Sequence, residues 1–202
     1  MYYDSSEGYI TALVRDDYIT SRIKKECDIS NIDRSLVPQI NANRLYFWQL
    51  FSILGKEKIL QIVTTFYENV FTDSEEWFRE AFEESGDIHY HIKGQSYFWY
   101  DVMGGGKYYR GGKKLVQLKH SGVSEVMNSR GGERWMWHMY NSLKTNYTLI
   151  SEDPRVIPCM LDFLQYFMDE YSVAFDFNLI KMHDATSFIY LVARSKQNVS
   201  KL

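Results

Sequence analysis

The chain has 202 residues, of which 45% are hydrophobic and 16% aromatic, including 16 tyrosines and 12 phenylalanines. This length suits one domain with extensions or two small domains, and the apolar share is sufficient for a buried core. A formal net charge of −3 gives no overall basic field, which argues against nucleic acid or anionic lipid as a partner. The high aromatic content is compatible with a pocket for a flat ligand, an ordinary core or a partner interface.

Cysteine usage and targeting signals bear on the compartment. Cys27 and Cys159 are far apart and outside any metal-binding spacing, which fits a reducing environment. No apolar run approaches the roughly 20 residues that span a bilayer. The N-terminus lacks the features of a secretory or transit peptide. From the absence of these signals we expect an intracellular, cytoplasmic protein without a membrane span.

Composition and periodicity divide the chain into an N-terminal extension (1–42), a domain rich in helical periodicity (43–172) and a C-terminal extension (173–202). The N-terminal part shows no sustained period. The C-terminal part contains the run FIYLVA, which fits a buried strand or the end of a helix. Both extensions carry the apolar and aromatic residues that disordered tails lack, so we expect them to be ordered, on the domain or on a partner.

Helical spacing predicts three helices in the first half of the domain. The clearest covers 55–71, where apolar side chains recur every three or four positions. Asp73 or Ser74 can cap a short second helix with an aromatic face. A third helix over 89–103 ends at three consecutive glycines, which lower helix propensity.

The second half of the domain continues the helical pattern. A basic, glycine-rich loop over 107–114 leads into a short helix at 115–120, and a longer helix follows at 133–143. Ser151 is a capping residue for the last helix, with Pro154 near its first turn. Since there is little other evidence for strands, the sequence predicts an all-α protein.

Motifs for other chemistry are missing. The loop GGGKYYRGGKK invites a phosphate-loop interpretation, but it lacks the G-x-x-x-x-G-K-[ST] pattern and follows a helix rather than a strand. The sequence contains no nucleophile elbow, Cys-x-x-Cys or His-Glu-x-x-His. No independent catalytic motif is therefore present, and whether the protein is an enzyme stays open.

Four stretches carry a resemblance to a known family: FYENVFTDSEEWFREAF at 66–82, QSYFWYDVMGGGKYY at 95–109, LKH at 118–120 and ERWMWHM at 133–139. Their order and spacing resemble the plant-type second group of truncated haemoglobins. The resemblance implies a globin-like two-over-two helical sandwich that holds haem b. The proximal loop departs from the family, because it lacks the prolines usual there.

The resemblance makes His120 the proximal ligand of the haem iron. A neutral imidazole is a good iron ligand, and its other nitrogen is usually held by a hydrogen-bond acceptor. The residues alone favour a different interpretation, an exposed histidine at a helix end beside Lys119.

On the distal side the resemblance implies that Tyr67, Gln95 and Trp135 donate hydrogen bonds to a gas ligand. Such a ligand takes on partial negative charge, so a donor aimed at it stabilises the complex. His91, one helical turn before Gln95, is a further candidate that could donate to the ligand or bind the iron itself, although His89 could take its place in the alignment. Periodicity explains Tyr67 equally well as a core residue.

The resemblance also implies which residues hold the haem. Phe82 would stack on the porphyrin and Phe98 would pack against its edge. Tyr109 and Lys119, with Arg110 as a further candidate, match positions that hold the propionates. Core packing explains the two phenylalanines equally well, and ordinary surface charge explains the basic loop.

The sequence thus supports two hypotheses of different classes. The first is a haem protein that binds oxygen or another diatomic gas, with nitric oxide dioxygenation or peroxide chemistry as the natural reactions if it is an enzyme. The second is an accessory subunit with a globin fold in a large assembly, such as a mitochondrial respiratory-chain complex or ATP synthase, where haem is lost and the aromatic-rich extensions bind protein partners.

Overall fold

The computed structural model describes residues 9–19, 44–109 and 126–178. These ranges contain seven α-helices and no strand, so the predicted all-α class is confirmed. A 3-10 turn at Phe47–Gln49 leads into the second helix, and a π-helical stretch at Asp101–Gly105 follows the fourth. The helices are α1 (Tyr9–Tyr18), α2 (Leu50–Phe71), α3 (Glu76–Ser85), α4 (Ile88–Tyr100), α5 (Ser129–Thr145), α6 (Tyr147–Ile150) and α7 (Val156–Ala174).

Helix α2 lies at the centre of the fold and packs against α4 and α5. Its residues Ile59, Ile62, Val63 and Phe66 are completely buried, and burying a side chain of this size stabilises the fold by about 1.5–3 kcal/mol. The Ser142 hydroxyl on α5 donates to the Ile62 carbonyl at 2.6 Å. The α2–α5 contact is therefore fixed by a buried hydrogen bond as well as by apolar packing.

The predicted helix at 55–71 begins earlier in the structure, at Leu50. Gly55 interrupts it with a φ of +71°, a conformation that favours glycine. The predicted third helix is also present. It begins at Ile88, because the Asp87 side chain accepts the Tyr90 N–H at 2.8 Å.

The helix predicted over 133–143 is present as α5 but begins four residues earlier, at Ser129. Asn128 caps the helix, because its side chain accepts the Gly131 N–H at 3.0 Å. A Cβ on Gly131 would lie 1.7 Å from the Val126 carbonyl oxygen. The glycine thus permits the incoming backbone to pass close to the first turn of the helix.

Replacing Gly131 with alanine should lower the free energy of unfolding by about 1–3 kcal/mol, because the colliding atom belongs to the backbone and the turn has to shift. Urea unfolding followed by circular dichroism measures this. Ser129→Ala in the same first turn is the control and should have a smaller effect. Equal stability of Gly131→Ala and the wild type would contradict the close approach.

The last predicted helix begins at Val156 rather than directly after Ser151, and the short helix α6, which was not predicted, precedes it. Pro158 falls in the first turn of α7, where its missing N–H costs no intrahelical hydrogen bond. The predicted helix at 115–120 lies outside the described residues, as does most of the C-terminal extension.

Part of the N-terminal extension forms α1, although the sequence shows no sustained period there. Tyr18 at its end is 1% exposed, and its ring packs 5.2 Å from Phe47 and 5.4 Å from Tyr166. The Tyr18 hydroxyl donates to Asp162 and accepts from Arg44 at 2.9 Å. This segment therefore packs on the helical domain of the same chain. Among the described helices, none combines the length and hydrophobicity that a membrane span requires.

Candidate functional site

A cavity of about 330 Å³ lies where α2, α3, α4, α5 and α7 converge. This volume falls within the range of pockets that hold small molecules, about 300–1,000 Å³. Most of the lining is aromatic or aliphatic, with a few polar side chains. The arrangement suits a large apolar ligand whose orientation is fixed by a small number of hydrogen bonds.

The structure brings together seven side chains that the sequence singled out, although they are spread over four helices and a loop. The seven are Tyr67, Phe82, His91, Gln95, Phe98, Tyr109 and Trp135, and all of them line the cavity. The two other predicted site residues, Lys119 and His120, lie outside the described residues, as does Arg110.

Three hydrogen-bond donors at the cavity make no hydrogen bond to the part of the chain that the structure describes: the Tyr67 hydroxyl, the Gln95 amide and the Trp135 indole. Tyr67 is 5% exposed, and burial raises the pKa of its hydroxyl, which keeps the proton at neutral pH. Gln95 and Trp135 are half-buried, and all three side chains line the cavity. These donors (the distal donors below) therefore mark where a polar atom of a ligand could bind.

His91 rather than His89 lines the cavity. Its Nε2 lies 2.9 Å from the Phe82 carbonyl oxygen and 3.2 Å from the Ser85 hydroxyl, both near the end of α3. Donation of Nε2–H to that carbonyl ties α4 to α3. The ring also lies 5.3 Å from the Tyr67 ring, so it forms part of the wall beside the distal donors.

The two phenylalanines predicted to hold a flat ring lie on the cavity wall and are each 7% exposed. Phe82 packs 5.1 Å from Phe78, whereas Phe98 packs 5.4 Å from Phe167 on α7. Tyr109 lies 5.6 Å from Phe98, and its backbone N–H donates to the buried Asp101 carboxylate at 3.2 Å. The loop that carries Tyr109 is thus tied to the end of α4.

The sequence did not identify a buried ionic network beside the cavity. Arg134 binds both carboxylate oxygens of Asp73, with its Nε 2.8 Å from Oδ2. The Nε2 of His138 lies 2.6 Å from the same oxygen, and the Glu75 N–H donates to Oδ1 at 3.0 Å. The side chains of Asp73 and His138 are 0% and 2% exposed. The network joins the turn before α3 to α5, next to Trp135.

The protonation states in this network follow from burial and charge. Burial raises the pKa of Asp73, but Arg134, the Glu75 amide and His138 outweigh it and hold that pKa well below its usual range. Burial lowers the pKa of His138 more than Asp73 raises it. The Nδ1 of His138 is buried and has no partner among the described residues. A neutral His138 ring with its proton on Nε2 explains both the lowered pKa and the Nδ1 atom, which then has no N–H donor to satisfy.

The signal that could have revealed this network is the spacing of Arg134 and His138, which stand four positions apart on one face of a helix. Where such a pair is buried, it needs an acid as a partner. From the sequence, Asp73 is predicted only as a candidate helix cap, and His138 matches no motif.

The geometry is accompanied by similarity to known proteins. The bacterial-like globin family matches residues 49–169. The chain belongs to this family. It is 31% identical to two-on-two hemoglobin-3 of Arabidopsis thaliana over 120 residues, which are 59% of this chain and 67% of the relative. It is also 31% identical to group 2 truncated hemoglobin 3-1 of Lotus japonicus over 118 residues, 57% of this chain and 68% of the relative.

These matches confirm the plant-type, two-on-two globin predicted from the sequence. The matched region contains α2 to α6, most of α7 and all seven predicted cavity residues. Two further residues of the cavity wall, Tyr171 and Phe177, lie beyond it.

Proposed function

We propose that this globin binds haem in the described cavity and uses it to bind oxygen or another diatomic gas, with His120 as the proximal ligand. The observation that carries the proposal is the set of three distal donors that line an aromatic cavity and make no hydrogen bond to the described residues. Haem would supply the iron to which the gas binds, while the protein supplies position, exclusion of water and hydrogen bonds.

The described residues fit such a group. The rings of Phe82 and Phe98 offer flat apolar contacts on the cavity wall. Tyr109 lines the cavity, and the proposal assigns an acidic edge of the ligand to its hydroxyl and to the ammonium group of Lys119. It assigns the iron-binding imidazole to His120, the next residue in the sequence.

The distal donors would act on the gas ligand. A hydroxyl, an amide and an indole N–H can each donate to an atom that develops negative charge, and a low-dielectric surrounding strengthens these hydrogen bonds. Because the Tyr67 pKa is raised, its hydroxyl remains a donor at any physiological pH. Packing of Trp135 at 5.0 Å from Phe66 holds its indole against α2.

Replacing Tyr67 with phenylalanine keeps the ring and deletes the hydroxyl, so it separates the hydrogen bond from packing. Loss of one donor to a charged ligand costs about 1.5–3 kcal/mol, which corresponds to an oxygen dissociation rate about 10- to 150-fold faster. Stopped-flow replacement of oxygen by carbon monoxide measures that rate.

A matched control is Tyr166→Phe. Tyr166 is also a buried tyrosine, 3% exposed, but it does not line the cavity. This variant should keep the oxygen dissociation rate of the wild type. If Tyr67→Phe leaves the rate unchanged as well, Tyr67 is a core residue and has no role toward the ligand.

A further inference from the structure

The wall of the cavity continues beyond the region that matches the globin family. That region ends at residue 169, yet Tyr171 and Phe177 line the cavity. Both side chains are half-buried. The segment that supplies them therefore lies outside the matched region but against the cavity.

Local backbone geometry explains how Phe177 reaches the cavity. Helix α7 ends at Ala174, and the next N–H groups turn back onto it: Phe175 donates to the Tyr171 carbonyl at 2.9 Å and Phe177 to the Ser172 carbonyl at 3.0 Å. Between them Asp176 has a φ of +54°. Aspartate tolerates this left-handed conformation better than most residues, so the chain reverses at this point.

The reversal separates two phenylalanines that are close in sequence. Phe177 lines the cavity, whereas Phe175, also half-buried, does not. Tyr171 lies on the same side as Phe177, with its ring 6.2 Å from that of Phe167. Burial and the neighbouring hydroxyls of Tyr109 and Tyr67 raise the pKa of Tyr171, so its hydroxyl is a neutral donor at the cavity.

We propose that residues 171–177 form a cap on the haem cavity, in which the Phe177 ring slows the escape of the bound group and the turn at Asp176 holds that ring in place. The proposal rests on the proposed function, because it takes haem as the occupant. It predicts that the cap controls retention of the occupant rather than stability of the helical core, since α2 to α5 are complete without it.

The first test compares Phe177→Ala with Phe175→Ala in the full-length, haem-loaded protein. Transfer of hemin to an excess of a haem-scavenging acceptor protein measures the rate of loss. Because part of an apolar contact is removed, Phe177→Ala should lose hemin about fivefold faster than the wild type, whereas Phe175→Ala should match the wild type. Equal rates in the two variants would overturn the cap.

A second readout does not depend on haem. The haem-free full-length chain should bind anilinonaphthalene sulfonate in the same cavity, and stopped-flow fluorescence gives its dissociation rate. Phe177→Ala and Asp176→Val should each speed this dissociation about fivefold, because one removes the ring and the other strains the turn. Asp176→Gly, which keeps the left-handed conformation, should not.

The two readouts separate failure of the cap from failure of the proposed function. A wild type that binds no haem but shows the expected change in probe dissociation would refute the haem proposal and leave the cap intact. A wild type that retains haem while neither readout responds to Phe177→Ala would refute the cap alone.

Discussion

Replacing His120 with alanine should abolish the five-coordinate ferrous haem spectrum that the proposed site predicts. In that site this imidazole would be the single protein ligand to the iron, so its removal would leave only apolar contacts and propionate contacts to hold the group. The variant should bind hemin weakly or not at all. Absorption spectroscopy of the reduced, purified protein measures the effect.

A rescue experiment and a control variant show whether the effect comes from loss of the iron ligand. Exogenous imidazole should restore a ligated spectrum in His120→Ala, because a free ligand can enter the space left by the side chain. His89→Ala is the control, since His89 is exposed and does not line the cavity, and it should keep the wild-type spectrum. An unchanged ferrous spectrum in His120→Ala would contradict the assignment of the proximal ligand.

Replacing Asp73 with asparagine should lower the free energy of unfolding by about 2–4 kcal/mol at neutral pH. Removing one partner of a buried ion pair leaves the other charge uncompensated, and Arg134 is 25% exposed, so part of that cost is relieved by solvent. His138 would also lose a charged acceptor at 2.6 Å. Urea unfolding followed by circular dichroism gives the difference.

The same network predicts how stability depends on pH. The pKa values of Asp73 and His138 are both lowered in the folded protein, so the unfolded chain binds more protons as the pH falls. Stability should therefore decline first below about pH 6.5, where an unfolded histidine is protonated, and again below about pH 4, where an unfolded aspartate is protonated. Asp73→Asn should make the second decline smaller.

Asp153→Asn is the control for both measurements. Asp153 also binds an arginine, with its Oδ2 2.6 Å from Arg155 Nη2, but that pair lies at the surface. Exposed ion pairs contribute little, so the variant should unfold almost as the wild type does. If the two aspartate variants had equal free energies of unfolding, the buried network would stabilise the fold no more than the exposed ion pair does.

The sequence predicted much of this site because helical periodicity and family motifs constrain the same positions. Tyr67, Gln95 and Trp135 belong to three different helices, yet the cavity brings all three together. The boundary of α5 was not predicted, because glycine is ordinarily a helix terminator, whereas Gly131 lies inside the first turn to admit the Val126 backbone.

Other features depend on contacts between distant segments, which no local pattern encodes. Helix α1 is stabilised by burial of Tyr18 against Tyr166, 148 positions away. The Asp73 network depends on α5 facing the turn before α3. Phe177 reaches the cavity through a single left-handed residue, so the sequence could show that the C-terminal extension is apolar but not where it lies.

The central claim is that this globin holds haem, and titration of the purified full-length protein with hemin tests it most directly. The account predicts a Soret band that saturates at one haem per chain. Absorbance that never saturates, equal to that of hemin in buffer, would contradict the account and favour the alternative in which the globin fold serves as an accessory subunit of a larger assembly.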